Sequence, residues 1–533
     1  MTDPTLYDRF PYLSRAMPQT HPSRLSTIAW LFGMNPAPLA EARVLELGCG
    51  DGGNLIPMAL GMPGARLVGL DLSASAIQRG RERIEALGLK NLSLRVQDLA
   101  DEPGDVGEYD YVVCHGVFSW VPPEVSERIL ALIRQCLAPQ GVAFVSYNTL
   151  PGGHLRNTVN DLMRFHTRDI EDPEIRMGQA MAILDFVAQG ALEGSGAYRA
   201  VVREERERLH RVDSESSLAN HLIHDRLQET VRTPYFHEFM DRCDAHGLDY
   251  LGEADFAEMQ DQYLPERIRK VLIKVSAGRI RVREQMLDFL KGRKFRQTLL
   301  CRAGTPLDRR LDPGKMTEVF AATSIVPLDE AGEPLPVSPA PREGRGELIF
   351  GDPGDGSRLI SDHPGVQGAL VHLGRNWPMP IHFEEIMTAA GKMGGPTGEE
   401  SRRAVSEALL SAYSGSLAEI YRETPQFAPA PGDRPIASPL ARLQLQTGTR
   451  VSTLTHRTVD LKNSYAPALL PLMDGVRDRV ALLAEGLNAV RQADLSADGR
   501  AASEKTDAEI AAEIEAELDR LARYGLLMPE PTP

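Results

Sequence analysis

The segment RVLELGCGDGGN, at residues 43–54, constrains the fold of this 533-residue chain more than any other segment. A short apolar run at 44–47 is followed by four glycines between residues 48 and 53, and an apolar segment compatible with a helix follows at 55–60. This order predicts a buried strand, a tight turn and a helix start, an arrangement in which the backbone can closely approach a nucleotide. A second apolar run, ARLVGLDLS, ends in Asp71, whose carboxylate can accept hydrogen bonds from both hydroxyls of a ribose.

The glycines alone do not identify the cofactor. Gly48, Gly50 and Gly53 also satisfy the spacing of dinucleotide-binding loops, so a nicotinamide or flavin cofactor is an alternative. Glu46 argues against a dinucleotide, because its carboxylate would meet the like charge of a pyrophosphate in a turn of low dielectric constant. S-adenosylmethionine has a sulfonium and an ammonium group and no phosphate, so an acidic glycine loop suits it better.

Two further strand ends support this interpretation. The run LSLRVQDLA ends in Gln97, Asp98 and Leu99, where Asp98 can accept a hydrogen bond from an adenine amino group and Leu99 can pack on the ring. The run YDYVVCHGVFSWV continues into His115 and Gly116. Four strand ends in this order and spacing resemble the motifs of class I methyltransferases, which implies S-adenosylmethionine as the cofactor. A Rossmann-like domain that binds another nucleotide is the alternative.

The length and composition are those of a large enzyme. A chain of 533 residues exceeds one compact core and predicts two or three domains. The net charge of −15 disfavours a general grip on nucleic acid, which needs a basic surface. The five cysteines are scattered and lack CxxC spacing, so we expect neither disulfides nor a zinc site, and a cytoplasmic location. The first residues lack a signal-peptide pattern, and no apolar stretch has the length that spans a bilayer.

Strands alternate with helices from residue 43 to 148, the pattern of a parallel sheet. Further strands at 248–251 and 295–301 are separated from this pattern by polar, helix-rich sequence. We therefore predict an α/β fold, a Rossmann-like class I methyltransferase sheet with helical insertions, followed by an α+β winged-helix C-terminal region. The first insertion is expected over the carboxyl ends of the strands, where ligands bind in open α/β sheets.

The predicted domains are a methyltransferase core at 1–153 and 233–305, a helical lid at 154–232, a linker at 306–358, a winged helix at 359–430 and a C-terminal helical region at 431–533. The winged helix is expected from three short helices and a two-stranded hairpin in LAEIYRETPQFA. Its expected recognition helix, at 399–412, is nearly neutral. This charge favours contact with protein, or dimerisation, over contact with DNA.

Five longer segments resemble one bacterial family. They are PYLSRAMPQTHPSRLSTIAWLFGMNP, HGVFSWV, SYNTLPGG, HDRLQETVRTPYFHEFMDRCDAHGLDYLGEA and FRQTLLC. The family comprises class I methyltransferases with a methyltransferase regulatory domain and a C-terminal winged helix, and its best-understood members methylate lysines of a rickettsial outer-membrane protein. The resemblance implies a protein-lysine methyltransferase, often a dimer, with a protein substrate and no nucleic-acid partner. A small-molecule N- or O-methyltransferase and a cofactor-binding scaffold without turnover are the alternatives.

The methyltransferase motifs imply candidate cofactor-binding residues at the strand ends. The methionine end is expected at Glu46, Gly48, Cys49, Gly50, Gly52 and Asn54. The ribose is expected at Asp71 and Leu72, and the adenine at Gln97, Asp98 and Leu99. The sulfonium is expected near His115, Gly116 and Val117, under an N-terminal lid that contains Tyr12, Thr20 and His21. The candidate catalytic residues are His115, Trp120, Tyr147 and Tyr12.

Each candidate also has a purely structural interpretation. His115 can be a core histidine bonded to the backbone, and Phe118 and Trp120 can serve packing. Methyl transfer from a sulfonium is an in-line displacement that requires alignment and a free lone pair and needs no metal. A lysine ammonium must first lose a proton, and desolvation in an aromatic channel favours this loss. The channel aromatics are Tyr12, Phe118, Trp120, Tyr147, Tyr235 and Phe236. Asn148 lies outside any Asn/Asp-Pro-Pro-Tyr motif, which disfavours methylation of nucleobases.

Overall fold

The structure is a computed structural model that describes residues 14–101, 107–190, 196–212, 215–228, 232–335, 346–353, 356–496 and 499–529. Tyr12, a predicted site residue, lies outside these ranges. Within them, no helix combines the length and the apolar character needed to cross a membrane.

A seven-stranded sheet forms the centre of the first three hundred residues. Its strands are β1 (Arg43–Leu47), β2 (Arg66–Asp71), β3 (Leu92–Val96), β4 (Tyr109–Cys114), β5 (Leu137–Asn148), β6 (Leu248–Glu253) and β7 (Phe295–Arg302). Their spatial order is β3-β2-β1-β4-β5-β7-β6. Strands β1 to β5 pair in parallel, and β7 is antiparallel to both of its neighbours. The predicted Rossmann-like sheet of the class I methyltransferase type is confirmed.

The parallel strands are apolar on both faces because helices cover both sides of the sheet. Val44 and Tyr111 are buried in one hydrophobic core, and Leu45 and Val112 are buried in a second core. This division follows from the alternation of side chains along a strand. The covering helices are α1 (Pro22–Leu31), α2 (Leu55–Gly61), α3 (Ala74–Ala86), α4 (Pro123–Cys136), α9 (Phe236–Ala245) and α11 (Ile280–Lys291), and α10 (Glu266–Ser276) packs against α11.

A helical insertion separates β5 from α9. It consists of α5 (Gly153–Thr167), α6 (Pro173–Gly190), α7 (Gly196–His210) and α8 (Glu215–Asp225). The insertion has its own hydrophobic core, which includes Val159, Leu184 and Val202. A buried ion pair joins Arg226 Nη2 to Glu205 Oε2 at 2.7 Å. The helices of the insertion thus pack around a core of their own.

The segment 306–358, predicted to be a linker, contains short strands. It contributes β8 (Phe320–Ala322), β9 (Val326–Leu328), β10 (Leu348–Gly351) and the first residue of β11 (Arg358–Ser361). Strands β9, β10 and β11 form an antiparallel sheet. Met316 and Phe350 are fully buried in the same core as Val44. The apolar residues between the turn-forming stretches decide this structure, because they are buried against the catalytic half.

The segment 359–430 contains the three predicted helices. They are α12 (Pro364–Asn376), α13 (Phe383–Lys392) and α14 (Glu399–Ser414). The predicted hairpin needs correction, because β13 (Glu419–Tyr421) pairs with β8 and not with the residues that follow it. Strand β12 (Ile381–His382) lies on the other side of β8. The apolar side of α14 packs on the catalytic half, where Tyr413 stacks on Phe256 at 4.8 Å between ring centroids.

The last hundred residues form a separate hydrophobic core. Their elements are α15 (Pro439–Gln444), β14 (Arg450–Ser452), β15 (Thr458–Asp460), α16 (Ala466–Leu469), α17 (Arg479–Gln492) and α18 (Asp507–Arg523). Helix α18 buries Ile510, Ile514 and Leu518 at the predicted helical spacing. Strands β14 and β15 form a hairpin. We call the turn between them, residues 453–457, the hairpin tip.

Candidate active site

The glycine loop lies at the carboxyl end of β1 and needs its glycines for two reasons. Gly48, Gly50 and Gly52 have φ values of +74°, +55° and +75°, in the left-handed region that residues with a Cβ rarely adopt. A Cβ on Gly48 would also lie 2.3 Å from Cγ2 of Val117, in the segment after β4. The loop is therefore pressed against the end of β4. The thiol of Cys49, a predicted cofactor residue, is buried in the core and donates a hydrogen bond to Gly50 O at 3.6 Å.

Glu46 is a buried acid directly beneath this loop. Glu46 is only 4% exposed, and its Oε1 accepts a hydrogen bond from Asn54 Nδ2 at 2.9 Å. Its other oxygen, Oε2, is buried and has no hydrogen-bond partner. Burial raises the pKa of Glu46 to about 8, since the charged form loses hydration, and the nearby Asp71 adds to the rise. A buried carboxyl oxygen without a partner fits a cationic ligand group.

Asp71 ends β2 and ties it to the glycine loop. Its Oδ2 accepts a hydrogen bond from Gly50 N at 2.7 Å, and its Oδ1 accepts one from Ser73 N at 2.9 Å. Desolvation raises the pKa of this carboxyl group. The next residue, Leu72, is 45% exposed although it is apolar. An acid beside an exposed apolar side chain suits a ligand that combines hydroxyl groups with a flat ring.

The end of β3 lies next to Asp71. Gln97 N donates to Asp71 O at 2.8 Å, which brings the two strand ends together as predicted. Asp98 Oδ1 accepts a hydrogen bond from Ala100 N at 2.8 Å, and its backbone oxygen accepts one from Gln97 Nε2 at 2.9 Å. Leu99 packs at the margin of the second core and is half-buried. The predicted cofactor side chains of β2 and β3 thus share one rim.

His115 follows β4 at the same edge of the sheet. Its Nδ1 lies 3.0 Å from Ser146 Oγ, which also accepts a hydrogen bond from Gly116 N at 2.9 Å. Burial lowers the pKa of His115 to about 4, so the ring is neutral near pH 7. Such a histidine is a weak base. Gly116 has a φ of +70° and open space where a Cβ would lie, so the cleft is accessible at this point.

The chain returning from the helical insertion closes over the ends of β4 and β5. Arg232 N donates to Ser119 O at 3.1 Å, and Asn148 N donates to Ser119 Oγ at 2.8 Å. Leu150 N donates to Pro234 O at 3.1 Å. The Nδ2 atom of Asn148 is buried without a hydrogen-bond partner. These bonds hold the half-buried Trp120 and Tyr235 on neighbouring segments at one end of the sheet.

Tyr147 does not face the cleft, so its predicted catalytic position is wrong. It is 1% exposed, its ring stacks on Phe239 at 4.0 Å, and its hydroxyl lies 3.2 Å from Thr298 Oγ1. Side chains alternate along β5, so Ser146, which meets His115, and Tyr147 point to opposite faces. Phe118, another predicted channel residue, is buried in the same core. Phe236 is also buried there.

Thr20 and Asn54 lie behind Glu46 and have no polar side-chain atom free for a cofactor, contrary to the direct contact predicted for them. Asn54 Nδ2 donates to Glu46 and also to Thr20 Oγ1 at 2.9 Å, and Asn54 Oδ1 accepts a hydrogen bond from Met17 N at 3.0 Å. The hydroxyl of Thr20 donates to Met17 O at 2.9 Å. His21 caps α1 by accepting a hydrogen bond from Ser23 N at 3.2 Å. Thr20 and Asn54 thus support Glu46 from within the protein, whereas His21 serves the start of α1.

The hydrogen-bond network around Asn54 also contains His456, a residue that the sequence did not predict. His456, in the hairpin tip, places Nε2 2.9 Å from Asn54 Oδ1. Its ring lies 4.9 Å from the ring of His21. The local sequence around His456 has no motif that indicates a site, and the residue was not among the predicted ones. A contact across 402 positions of sequence is decided by domain packing, so no local signal predicted it.

The charge of this cleft discriminates between cofactors. The glycine loop covers two acids, Glu46 and Asp71, and a pyrophosphate would meet both of them. A cofactor with a cationic amino-acid end and a phosphate-free adenosine suits these groups. Together with the strand order, this charge pattern defines a class I methyltransferase that uses S-adenosylmethionine. Among the described residues, no cluster of three or more His, Cys, Asp or Glu side chains is arranged to hold a metal ion.

Comparisons with known proteins agree with this class. A methyltransferase domain model matches residues 44–141, a predicted methyltransferase regulatory domain matches 219–302, and the model "PKMT, C-terminal winged helix domain" matches 433–526. The chain belongs to the family of bacterial class I methyltransferases that carry a methyltransferase regulatory domain and a C-terminal winged helix. The winged-helix match lies downstream of 359–430, where the sequence predicted this domain.

Relatives extend the similarity along the whole chain. Protein RP789 of Rickettsia prowazekii is 29% identical over 97% of this chain and 91% of its own length. Protein RP028 of the same organism is 35% identical over 45% of this chain and 95% of its own length. The structure of PKMT2 from Rickettsia typhi superimposes with a TM-score of 0.85, at 26% identity over 97% of this chain and 100% of that one. The same protein in complex with AdoHcy gives a TM-score of 0.84, at the same identity and coverage.

Proposed function

We propose that this protein transfers methyl groups from S-adenosylmethionine to lysine side chains of a protein substrate. The observation that carries the proposal is the similarity to PKMT2 of Rickettsia typhi, which extends over 97% of this chain. PKMT abbreviates protein-lysine methyltransferase. The match of a PKMT winged-helix model to residues 433–526 adds support, because this part of the chain lies outside the methyltransferase domain at residues 44–141.

In this proposal the strand ends hold the cofactor. Glu46 Oε2, which has no partner, accepts a hydrogen bond from the ammonium group, and the backbone of the glycine loop lines the amino-acid end. Asp71 accepts hydrogen bonds from the ribose hydroxyls, as acids at this position of the fold do. The exposed Leu72 and the rim formed by Gln97, Asp98 and Leu99 take the adenine. When bound, the cofactor supplies a methyl group on a sulfonium.

The methyl acceptor approaches between Gly116 and the segment returning from the insertion. Trp120 and Tyr235 are the described channel aromatics with part of their surface exposed, and they can hold an ammonium by cation–π contact. Desolvation in this channel lowers the pKa of an entering lysine and favours the neutral amine. His115 positions the segment after β4 through Ser146 and, with a pKa of about 4, is a weak base. We therefore assign it positioning and not deprotonation.

The charge of the chain and its cysteines bear on three further parts of the proposal: the absence of a nucleic-acid partner, the cytoplasmic location and the oligomeric state. A net charge of −15 disfavours nucleic acid as the substrate. Arg402 of α14 pairs with Glu384 at 2.6 Å, and Arg403 pairs with Glu407 at 2.9 Å, so neither cation is free for phosphates. The five cysteines are buried free thiols, as suits a reducing cytoplasm. A homodimer remains part of the proposal through the family resemblance.

The test uses the full chain, S-adenosylmethionine with a deuterated methyl group, and membrane and soluble protein fractions of a bacterium. Mass spectrometry of digested products should locate deuterated methyl groups on lysine side chains. In a matched sample whose lysines were acetylated, the label should disappear, because an amide nitrogen has no lone pair free to attack the methyl group. The Glu46→Gln variant should label the untreated fraction more slowly, since its affinity for the cofactor falls.

Other results would reject the lysine assignment. Label confined to low-molecular-weight products would indicate a small-molecule N- or O-methyltransferase. Cofactor binding without turnover in every fraction would indicate a scaffold. Label on arginine, glutamine or carboxyl groups would support a protein substrate but would show that the methyl acceptor is not lysine.

A further inference from the structure

The hairpin tip brings the last hundred residues of the chain, which we call the C-terminal domain, next to Asn54 at the end of the glycine loop. His456 is 4% exposed although it lies in a turn, and its backbone has a φ of +58°, a region that favours glycine. Thr453 N donates to Arg457 O at 2.8 Å and His456 N donates to Thr453 O at 3.1 Å, which closes the turn. The turn aims the imidazole inward, toward Asn54. A strained residue persists only where its surroundings determine it.

The hairpin tip is anchored on both sides of this histidine. The ring of His456 packs on His21 at the start of α1. Arg457 forms an ion pair with Glu419 of β13, and its guanidinium lies over the ring of Trp377 at 5.5 Å. The hairpin therefore touches the N-terminal helix and the middle of the chain at once. Its position relative to the glycine loop is determined by packing and not by one hydrogen bond.

The direction of each hydrogen bond in the network can be assigned. The backbone nitrogen of Met17 can only donate, so the Asn54 atom that it meets is the oxygen Oδ1. His456 Nε2 must then donate to the same oxygen. Asn54 Nδ2 consequently points to Glu46 Oε1 and donates to it. Burial and the neighbouring His21 lower the pKa of His456 well below its usual value, which agrees with a neutral ring whose single proton lies on Nε2.

We infer that His456 is a positioning residue of the cofactor site, which holds the amide of Asn54 so that Glu46 presents Oε2 to the amino-acid end of the cofactor. Without this donor, Asn54 Oδ1 keeps the hydrogen bond from Met17 N but loses its second donor, so the amide that fixes Glu46 Oε1 is held less firmly. The C-terminal domain thereby completes the cofactor site of the N-terminal domain. The inference concerns the cofactor site alone and does not depend on which nucleophile is methylated.

Two substitutions separate hydrogen bonding from packing. His456→Phe keeps a ring against His21 and removes the donor, whereas His456→Gln keeps an N–H donor and removes the ring. Calorimetric titration of the full chain with S-adenosylhomocysteine should show a Kd raised about tenfold for His456→Phe, the scale of a lost buried hydrogen bond. His456→Gln should stay within about threefold of the unchanged protein. Arg450→Gln is the matched control and should leave Kd unchanged, because Arg450 lies on the same hairpin and pairs with Asp460 at 3.2 Å.

A double-mutant cycle tests the route through Glu46. In the Glu46→Gln background, His456→Phe should change the Kd by less than about twofold, because the group it positions is already lost. A tenfold change in both backgrounds would overturn the inference. So would an unchanged Kd in the His456→Phe variant, or an equal loss of affinity in His456→Phe and His456→Gln together with an equal fall in melting temperature, since that pattern indicates a structural role only.

Discussion

At the scale of single residues, Glu46 is held in a protonation state that cofactor binding must change. Burial raises the pKa of its carboxyl group to about 8, so at pH 7 most molecules without cofactor carry the protonated acid. An ammonium group beside Oε2 favours the carboxylate. Binding should therefore expel a proton from Glu46. Burial is the main cause of the raised pKa and the neighbouring Asp71 adds to it, whereas the hydrogen bond from Asn54 acts in the opposite direction.

We predict that S-adenosylhomocysteine binds with proton release at pH 7 and that its affinity rises as the pH is raised from about 5 to 8. The sign follows because the free protein binds the Glu46 proton more tightly than the complex does. Calorimetry at pH 7 in buffers of different ionisation enthalpy measures the number of protons released. Glu46→Gln should release none from this site and should bind about 2–4 kcal/mol more weakly, the scale for losing a charged, buried hydrogen bond.

A proton count that is equal in Glu46→Gln and in the unchanged protein would contradict this assignment.

The raised pKa of Glu46 also affects the stability of the folded protein. Because the folded-state pKa lies above the ordinary value of 4.5, the stabilisation that Glu46 gives the cofactor-free protein is complete below about pH 4.5 and is lost as the pH rises toward 8. Each pKa unit corresponds to about 1.4 kcal/mol.

At the scale of elements, the glycine loop and the end of β4 behave as one unit. Gly48 meets Val117, and Gly50 donates to Asp71 at the end of β2. Gly48 N and Cys49 N both donate to Leu70 O, at 2.8 and 3.0 Å. The loop is therefore bound to both of the strands that flank β1. A side chain at Gly48 would separate it from one of them.

We predict that Gly48→Ala lowers the free energy of unfolding by about 2–4 kcal/mol, because it combines an unfavourable φ with a collision at 2.3 Å. Gly88→Ala is the matched control. Gly88 has a φ of +64° and no atom within 4 Å of the position that a Cβ would take, so it reports the cost of the backbone conformation alone, about 1–2 kcal/mol. Denaturant unfolding of both variants measures the difference. Equal losses would show that Val117 moves away without cost.

At the scale of the whole molecule, one hydrophobic core joins the two halves of the chain. It contains Leu25 and Val44 of the catalytic half and Leu370, Phe383 and Leu409 from beyond residue 358. The C-terminal region is thus packed against the methyltransferase sheet and is not a tethered module. This packing also places the hairpin tip beside Asn54.

We predict that deletion of residues 359–533 exposes apolar surface and causes aggregation or a change of oligomeric state. The full chain and the truncated chain are compared by light scattering coupled to size-exclusion chromatography and by binding of a hydrophobic dye. A truncated chain that stays monodisperse, with the melting temperature of the full chain, would show that the shared core adds little to stability. A shorter deletion after residue 432 removes the hairpin and leaves helices α12 to α14, which separates loss of the core from loss of His456.

The sequence predicted those features that depend on neighbours in the chain. The strand ends carry Glu46, Asp71, Asp98 and His115 at one edge because parallel strands align their carboxyl ends, so alternation of strands and helices was sufficient to place them together. The glycines at 48, 50 and 52 have positive φ, as a tight loop after a buried strand requires. The cofactor was predicted from the four strand ends, which resemble class I methyltransferase motifs, and the acid at Glu46 argued against a dinucleotide.

Contacts between distant segments were decided by the tertiary structure alone. Tyr147 has the same aromatic character as a channel residue, and only the pleat of β5 and the position of Phe239 show that it faces the core. Short strands form in the described part of 306–358 because its few apolar residues pack against a catalytic half that lies elsewhere in the sequence. His456 reaches Asn54 across 402 positions. A short-range sequence pattern indicates which face of a helix or strand is apolar. Which segment covers that face depends on how the domains pack, and a local pattern carries no information about that packing.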